Sequence, residues 1–520
     1  MPQCPLDPPC SPPFPLMTIP ALDTGLMWFR NDLRTTDNTA LHHALTHCRR
    51  VHAVYVFEPP AAGPTTRPLS DRSAEFLLRS LESLDGALGA LSRQAGAMDA
   101  DGVHLLWAQG SAERAVTALA RRLGAEAVFA NADADPEGSA RDARVRGALA
   151  DAGVSLHLAQ DHLLFGPDDL HMPGGTLPAG FAAYYRQWLG RIDAETLRPH
   201  PVAPHARALA PAPDALRRPL PSLEAIGHAP SNLAALPLFP GMEGARRQWD
   251  EFLPRMPHYH LAHDYPGVRG PSYLGVHLRF GTLGIRDVAA SAWALHRQGH
   301  EGASLWLERL AWRDFFAQAL AHHPHAIDRP FRGGRDPVRW DRSAHGRKLY
   351  AAWCEGRTGY PLVDAAMRQL VQSGYMHHRL RMVSACFLTR YLGVDWRWGE
   401  RFFAQHLNDL ERASNNAGWQ WAAGTGCEAL PWYRTLNPVR QGQRYDPQGR
   451  FLRRYLPEIA ALPDGLLQFP ARATAADWRA AGLTPSCYPA PLVDLAEGRR
   501  LVQQRLVQHH PQQRSRRARR

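Results

Sequence analysis

The sequence has few cysteines and no long apolar run, and each absence excludes a class of protein. It contains 7 cysteines in 520 residues, and none of them form a CxxC pair, so the sequence predicts no zinc, iron–sulfur or other metal site. Sparse cysteine in a chain of this length favours a reducing, cytoplasmic compartment over an extracellular disulfide scaffold. Because no run of 18 apolar residues occurs, we expect no membrane-spanning helix.

The two ends of the chain differ in composition from its middle. Residues 1–22 are rich in proline and lack both the basic region and the apolar core of a signal peptide, so we predict a disordered extension. Residues 501–520 end in RSRRARR and are predicted to form a basic tail that adds non-specific attraction for phosphate.

The charge balance favours a polyanionic partner. The formal net charge is +11, which is typical of proteins that meet nucleic acid. An arginine-rich solvated surface explains the same charge, so composition alone leaves both interpretations open. With 45% hydrophobic residues, the chain is long and apolar enough for two or more folded domains.

Residues 23–165 alternate strand and helix patterns. Buried strands are predicted at 25–31, 51–57, 104–109, 127–131 and 154–159, and helices at 36–49, 73–91, 111–124 and 138–153. This alternation predicts an α/β domain with a doubly wound parallel sheet. No GxGxxG follows the first strand, so a dinucleotide-binding fingerprint is absent.

The second half of the chain has a helical pattern. Residues 166–240 are rich in proline and weakly periodic, which predicts a connector. Residues 241–500 are rich in Trp and Arg and are predicted to form an all-helical domain. The clearest amphipathic segments in it are 302–321, 362–374, 376–392 and 397–407.

Four segments resemble one family. Residues 358–397 begin TGYPLVDAAMRQL, residues 413–421 read ASNNAGWQW, residues 437–458 begin NPVRQGQRYD, and residues 28–41 read WFRNDLRTTDNTAL. They resemble the DNA photolyase/cryptochrome family, most closely the class I cyclobutane pyrimidine dimer (CPD) photolyases. The resemblance covers residues 25–500. It implies an antenna-type α/β domain and a helical domain that holds FAD, from which light drives an electron into the dimer and back.

The resemblance assigns residues to the flavin. Asn415 matches the position that faces flavin N5, where a neutral amide can bond the protonated nitrogen without removing its proton. Asp409 and Arg381 match a pair beside the flavin. The two are expected to pair because an unpaired buried charge would be costly. The other implied cofactor-binding positions are Tyr259, Ser272, Tyr273, Leu274, Gly275, Trp306, Arg313, His378 and Glu411.

Two stretches depart from the family pattern at the cofactor. The family's phosphate loop Thr-Ser-x-Leu-Ser reads PSYLG at 271–275, which removes two hydroxyls and one N–H. The family's Asp-Gly-Asp reads DLE at 409–411, which lengthens the last side chain and removes the freedom of glycine. These changes leave the affinity for FAD open.

Three tryptophans match the family's electron-transfer chain. Trp419, Trp396 and Trp340 fall on its positions, in order from the flavin to the surface. Since the chain has 15 tryptophans, core packing explains any one of them, but all three in register favour electron transfer.

A third set matches contacts to the lesion and the DNA. Trp312 and Trp421 match aromatics that pack on the flipped dimer, where stacking is worth about 1–3 kcal/mol per base. The positions that match DNA contacts are His263, Arg313, Arg379, Arg434 and Gln441.

Two departures bear on repair. The dimer-binding Glu of the family is Arg309 here, and the nearest carboxylate, Glu308, lies about 100° around the helix. The dimer-side Asn is His378, which coincides with the first catalytic His of (6-4) photolyases. Their second His falls at Met382, so (6-4) repair is disfavoured.

The leading hypothesis is FAD-dependent, blue-light-driven repair of CPDs in UV-damaged DNA by a monomeric cytoplasmic protein of bacterial type, associated with the nucleoid when on DNA. The alternative is a cryptochrome-like photoreceptor that keeps FAD and the Trp chain but has lost repair through Arg309 and His378. An antenna chromophore of folate or deazaflavin type is left open. Glu137 loosely matches a folate-contacting Glu.

Overall fold

A computed structural model describes residues 22–59, 69–97, 102–170, 180–331, 336, 338–431 and 434–507. Residues 1–21 of the predicted extension and residues 508–520 of the predicted tail therefore lie outside the described residues. The predicted domain boundaries stay predictions.

The N-terminal region contains the predicted parallel sheet. Its five strands, among the described residues, are β1 (Leu22–Phe29), β2 (Cys48–Phe57), β3 (Leu106–Gln109), β4 (Ala127–Asn131) and β5 (Ser155–Ala159). Their order is β3-β2-β1-β4-β5, and every neighbouring pair is parallel. The α/β prediction is thus confirmed. Strand β1 ends two residues earlier than predicted, because the Arg30 N–H donates to the Asp32 carboxylate, 2.6 Å away, instead of to a neighbouring strand.

Four helices cover the two faces of the sheet, where the predicted helices lie. They are α1 (Thr39–His47), α2 (Asp71–Gln94), α3 (Ala112–Leu123) and α4 (Pro136–Ala150). Side chains that accept N–H bonds begin three of them, at Asn38, Ser70 and Asp135. Gly124, with φ of 63°, ends α3.

The proline-rich connector contains a helix that the sequence did not predict. Helix α5 spans Phe181–Gly190. Its aromatic residues at 181, 184, 185 and 188 follow helical spacing, and this signal could have revealed it. Tyr184 and Trp188 are fully buried, so this part of the connector belongs to the core.

The rest of the chain is helical, as predicted. Its helices are α6 (Gly241–Phe252), α7 (Tyr259–Ala262), α8 (Gly275–Phe280), α9 (Ile285–Arg297), α10 (Glu301–His322), α11 (Ala344–Cys354), α12 (Pro361–Ser373), α13 (His378–Cys386), α14 (Trp396–His406), α15 (Arg412–Ala423), α16 (Pro438–Tyr445), α17 (Arg450–Tyr455), α18 (Asp464–Leu467), α19 (Ala475–Ala480) and α20 (Leu495–Val507). A π-helical turn, Phe387–Tyr391, extends α13. Within the described ranges, no helix combines the length and apolarity needed to cross a membrane.

The start of the predicted basic tail is helical. Helix α20 continues through Val507 because Val502, which is 3% exposed, packs close to Gly393. The first seven residues of the predicted basic tail thus lie in α20, and the boundary at residue 501 stays a prediction.

A buried ion network joins the sheet region to the helical region. Asp161 accepts hydrogen bonds from Arg34 (2.6 Å) and from Arg286 on α9 (2.7 Å). Arg286 also bonds Asp37 at 2.7 Å. All four charged groups are buried, so each needs its partners to offset desolvation.

Candidate functional site

A cavity of about 460 Å³ lies at the carboxyl edge of the sheet. It is lined by residues that follow β1, β2 and β4, together with residues of α10 and α15. Because β1 lies between β2 and β4, this is the point where the winding of the sheet reverses, and ligands of doubly wound sheets bind at such points. Glu137 lines the cavity and pairs with Arg412 at 2.5 Å, and its match to a folate-contacting Glu stays a prediction.

Arg313 and Glu411 form a buried ion pair in the cavity wall. The Arg313 Nε donates to Glu411 at 2.7 Å, and other Arg313 nitrogens contact the carbonyl and ring of His162. Burial alone would raise the pKa of Glu411, but Arg313 and His162 hold it well below its usual range. Arg313 is 9% exposed because these partners hold it inward, and its predicted contact with DNA stays a prediction.

The predicted phosphate loop has the backbone of an anion-binding turn. Tyr273 has a φ of 58°, in the left-handed region, and Leu274 is right-handed helical with φ −83° and ψ −4°. Adjacent residues of opposite hand turn successive N–H groups toward one side, which forms a concavity for phosphate oxygens. Gln248 fixes the turn by donating to the Ser272 carbonyl at 3.0 Å. The loop thus fits a pyrophosphate despite Pro271.

Gly275 has a packing reason. A Cβ at this position would lie 2.7 Å from the Asp409 carboxylate, so only glycine lets Asp409 approach the start of α8. Arg381 holds the same carboxylate through two bonds of 3.0 and 2.8 Å. The predicted pair is therefore formed, and it packs on the predicted phosphate loop.

Asn415 has a defined amide orientation. It lies in the first turn of α15, and its Nδ2 donates to the Glu400 carbonyl at 3.2 Å and to the Glu400 carboxylate at 3.1 Å. Glu400 is 2% exposed. Because the amide nitrogen is committed to Glu400, the carbonyl oxygen is the group that remains for a hydrogen-bond donor such as a protonated ring nitrogen.

The three candidate electron-transfer tryptophans lie in one buried cluster. Trp396 begins α14, and Trp419 on α15 packs on Gly399 of α14. Trp340 is close in chain to the bridge between Asp341 and Val394, two residues before Trp396. Trp340 was expected at the surface but is 7% exposed, because this bridge holds its segment against the core.

Aromatic side chains form a buried wall beside Tyr259. Tyr259 is 7% exposed and meets Phe252 edge to face, with ring centroids 5.9 Å apart. Trp306, 4% exposed, lies 5.5 Å from Phe252 and 5.8 Å from Trp249. Both candidates for cofactor contact therefore belong to the core as well.

Trp312, expected to stack on a flipped dimer, has one face covered. Phe181 of α5 stacks on it with centroids 3.5 Å apart and rings 10° from parallel. The Trp312 Nε1 donates to Glu308 at 3.2 Å. Nothing in the sequence linked Phe181 to Trp312, which are 131 positions apart in the numbering. Trp421 and Met382 are partly exposed.

Arg309 is at the surface of α10, with a side chain that is 41% exposed. Its guanidinium lies 4.0 Å from Glu308 and close to the Tyr259 hydroxyl. Burial raises the pKa of Tyr259, and Arg309 opposes that rise. The position of the family's dimer-binding Glu therefore carries a fixed positive charge.

His263, Asp264 and His378 meet although His378 is distant in sequence. The His378 Nε2 lies 3.2 Å and the His263 Nδ1 lies 3.4 Å from the same Asp264 oxygen. Arg379 holds the other oxygen at 2.5 Å. Burial lowers the pKa of His263 to about 4 and also lowers that of His378. His263 is 8% exposed because Tyr259 and His378 enclose its ring, and its predicted role as a DNA contact stays a prediction.

The other predicted DNA contacts divide into two groups. Arg379 donates to Gln441 at 3.3 Å and lies over the Tyr445 ring at 3.8 Å, so the structure brings these residues together. Arg434 is exposed and separate from them, as far as the described contacts show.

Two family models match the chain. The model described as DNA photolyase matches residues 25–205, and the model described as the FAD binding domain of DNA photolyase matches residues 306–508. The chain is 35% identical to a deoxyribodipyrimidine photo-lyase of Vibrio cholerae over 92% of this chain and 98% of that protein. It is 34% identical to the enzyme of that name from Escherichia coli, over 92% and 97%.

Three solved structures are similar to this chain over most of its length. A bacterial class III photolyase from Agrobacterium tumefaciens superposes with a TM-score of 0.82 at 30% identity, over 94% of this chain and 98% of that one. A cryptochrome from Synechocystis superposes with a TM-score of 0.78 at 25% identity, over 93% and 99%. An archaeal photolyase from Sulfolobus tokodaii, described with two FAD molecules, has a TM-score of 0.72 at 28% identity, over 93% and 99%.

Proposed function

The chain belongs to the DNA photolyase family, and we propose that it uses FAD and blue light to repair cyclobutane pyrimidine dimers in UV-damaged DNA. The observation that carries the proposal is the orientation of Asn415, whose amide nitrogen is committed to Glu400 so that its carbonyl oxygen can accept a hydrogen bond. A neutral acceptor at this position suits a flavin whose N5 carries a proton, which is the reduced cofactor that repair requires.

The residues present fit FAD. The turn at Tyr273 and Leu274 would supply backbone N–H groups for the pyrophosphate, and Arg381 with Asp409 would supply paired charge to the flavin ring. When bound and excited in its reduced form, FAD supplies an electron that opens the cyclobutane ring, and the electron returns, so the reaction has no net oxidation or reduction. The protein's own residues position the cofactor and exclude water.

On the lesion side, Arg309 and His378 take the places of the usual Glu and Asn. A guanidinium donates hydrogen bonds to carbonyl oxygens and carries a permanent positive charge, so Arg309 stabilises the extra negative charge on the dimer while the electron resides there. Asp264 orients His378 by accepting from its Nε2–H, which directs the rest of the ring away from the carboxylate.

The cavity at the edge of the sheet is the proposed site of the antenna chromophore. Trp28 is buried beside it, with Arg30 4.7 Å and Arg141 5.3 Å from its ring. Planar aromatic and cationic groups of this kind favour a flat, anionic chromophore. Folate and deazaflavin cofactors both have this chemistry.

A cryptochrome-like photoreceptor is the second candidate. Two observations favour it: Arg309 replaces a carboxylate, and Phe181 covers one face of Trp312. A photoreceptor would keep the flavin and the buried tryptophans but would not open dimers.

The test uses purified full-length protein and single-stranded oligonucleotides that carry one thymine CPD, one (6-4) product or no lesion. After photoreduction, blue light is expected to restore thymines in the CPD substrate alone, and a dark control is expected to show no repair. Photoreduction of the flavin with survival of the CPD would favour the photoreceptor. Repair of the (6-4) substrate instead would contradict the proposed lesion.

A further inference from the structure

We propose that His263, Asp264 and His378 form a binding site for a divalent transition-metal cation such as Zn²⁺, beside the proposed lesion pocket. The three side chains come from the end of α7 and the start of α13, and one ligand atom from each lies within 4.8 Å of the others. Two imidazoles and one carboxylate are a ligand set that zinc uses widely, with water in the fourth position.

The spacing of the ligand atoms suits a tetrahedral ion. Zinc binds nitrogen and oxygen at about 2.0–2.1 Å, so two ligands of one tetrahedral ion lie roughly 3.3 Å apart. The Asp264 oxygen is 3.4 Å from the His263 Nδ1 and 3.2 Å from the His378 Nε2. The two imidazole nitrogens lie within 4.8 Å of each other, so side-chain movements that bring them closer would place all three ligands around one ion.

His263 has an unsatisfied ligand atom. Its Nδ1 is buried without a hydrogen-bond partner among the described residues, in a side chain that is 8% exposed overall. A buried polar atom without a partner carries a free-energy cost. A metal ion bonded to Nδ1 would remove this cost. The contact with the Tyr259 ring already fixes the orientation of the His263 imidazole.

The charges around the cluster select the kind of ion. Arg379 holds one Asp264 oxygen at 2.5 Å, which orients the other oxygen as a ligand. Arg379 and Arg309 also repel a cation, so affinity must come from imidazole bonds. This condition favours Zn²⁺ or Ni²⁺ over Mg²⁺ and Ca²⁺, which prefer oxygen ligands. To bind the ion through Nε2, a neutral His378 needs only to carry its proton on Nδ1.

A bound ion would occupy the lesion side of His378. Metal binding itself does not depend on the proposed function, but its consequence does: if the pocket accepts a dimer, Zn²⁺ is expected to compete with it. The two claims are separable because metal binding is measured in the dark and without DNA.

The experiment titrates Zn²⁺ into FAD-loaded full-length protein by calorimetry. We expect one ion per chain, at least tenfold weaker binding in H263Q and in H378Q, and no displacement by Mg²⁺ at a hundredfold excess. H260Q is the matched control, because His260 lies on the same helix but pairs with Glu301 at 3.5 Å. Flavin content and melting temperature check that each variant is folded.

Absence of Zn²⁺ binding to the wild-type protein would overturn the proposal. So would binding that survives in both variants but is lost in H43Q, since His42, His43 and His200 form a second cluster with ring centroids 5.5–6.1 Å apart. If the variants do not fold, X-ray absorption at the zinc edge of the wild-type protein decides. Two imidazoles and an oxygen are expected, whereas sulfur or purely histidine ligation would contradict the site.

Discussion

Asp314 is a buried carboxyl group whose ionisation opposes folding. Burial raises its pKa to about 7, although the Trp188 Nε1–H and the Phe165 N–H donate to it at 2.8 and 3.2 Å. A raised pKa means that the folded state binds the proton more tightly, so this contribution to stability is complete below about pH 4 and is lost as the pH rises through 7.

D314N is expected to remove this pH dependence. Relative to the variant, the wild-type protein should lose on the order of 2 kcal/mol of unfolding free energy between pH 5 and pH 8. Urea unfolding at several pH values measures the difference. Parallel curves for the two proteins would contradict the assignment.

Asn415 combines a structural and a functional role, which a double variant can separate. N415D places two carboxylates in contact with each other, at the 3.1 Å contact to Glu400, and is expected to cost roughly 1–3 kcal/mol of stability. E400Q/N415D restores an amide–carboxylate bond and is expected to recover that stability. Neither variant is expected to stabilise the reduced flavin as well as the wild-type protein, because each variant presents a carboxylate at position 415, instead of an amide, to flavin N5.

Chemical unfolding and the midpoint potential of the bound flavin are the two measurements. Recovery of both properties in E400Q/N415D would mean that Asn415 is only structural.

At the scale of single residues, the sequence predicted which residues form the candidate site better than it predicted the partners that contact them. The Arg381–Asp409 pair was predicted because its members fall on a known pattern. The partners Phe181, Glu400 and Asp264 were not predicted, because only tertiary packing brings them to the site and no local sequence spacing indicates it. His263 shows the same limit, since position alone suggested a DNA contact for a side chain that packing buries.

Helices α14 and α15 carry two of the candidate electron-transfer tryptophans. W396F is expected to slow photoreduction of the flavin at least tenfold, because the middle indole of the predicted electron-transfer chain is removed. W478F is the matched control, since Trp478 is 5% exposed in the same cluster. Laser-flash absorption measures the rates. Equal rates in W396F and the control would argue against this path.

At the scale of elements, hydrophobic periodicity predicted the long helices, but it did not predict where α13 begins or that a π-helical turn extends it. Segment 302–321 became α10 with one residue added at each end. Segment 376–392 begins later, at His378, because the His377 Nδ1 accepts the Arg379 N–H and caps α13. The π-helical turn within it satisfies backbone bonds that no side-chain pattern encodes.

The two regions of the molecule are joined by the Asp161 network. Burial alone would raise the pKa of Asp161, but Arg34 and Arg286 lower it to about 2. A lowered pKa stabilises the fold above about pH 4, and this stabilisation is lost as the pH falls toward 2.

D161N removes the carboxylate that Arg34 and Arg286 share, leaves only Arg286 its bond to the Asp37 carboxylate, and is expected to cost about 3–5 kcal/mol. D168N is the control, because Asp168 is 86% exposed. Thermal unfolding measures the loss of stability. Equal losses in D161N and D168N would contradict the proposal that Asp161 joins the two regions.

At the scale of the whole molecule, the order of α/β and helical regions followed from the sequence, but the cavity between them did not. Its walls come from strand ends and from α10 and α15, which are far apart along the chain. Only the folded arrangement brings Arg313 and Glu411 to the edge of the sheet.

The central claim is that this chain opens CPDs with light although Arg309 replaces the usual carboxylate. The most direct measurement reduces the bound flavin chemically, without oxygen, and then counts the thymines restored per absorbed photon. This procedure bypasses the tryptophans, so wild type and W396F are expected to repair equally in the light and not at all in the dark. A fully reduced, flavin-loaded protein that leaves the dimers intact under light would contradict the account.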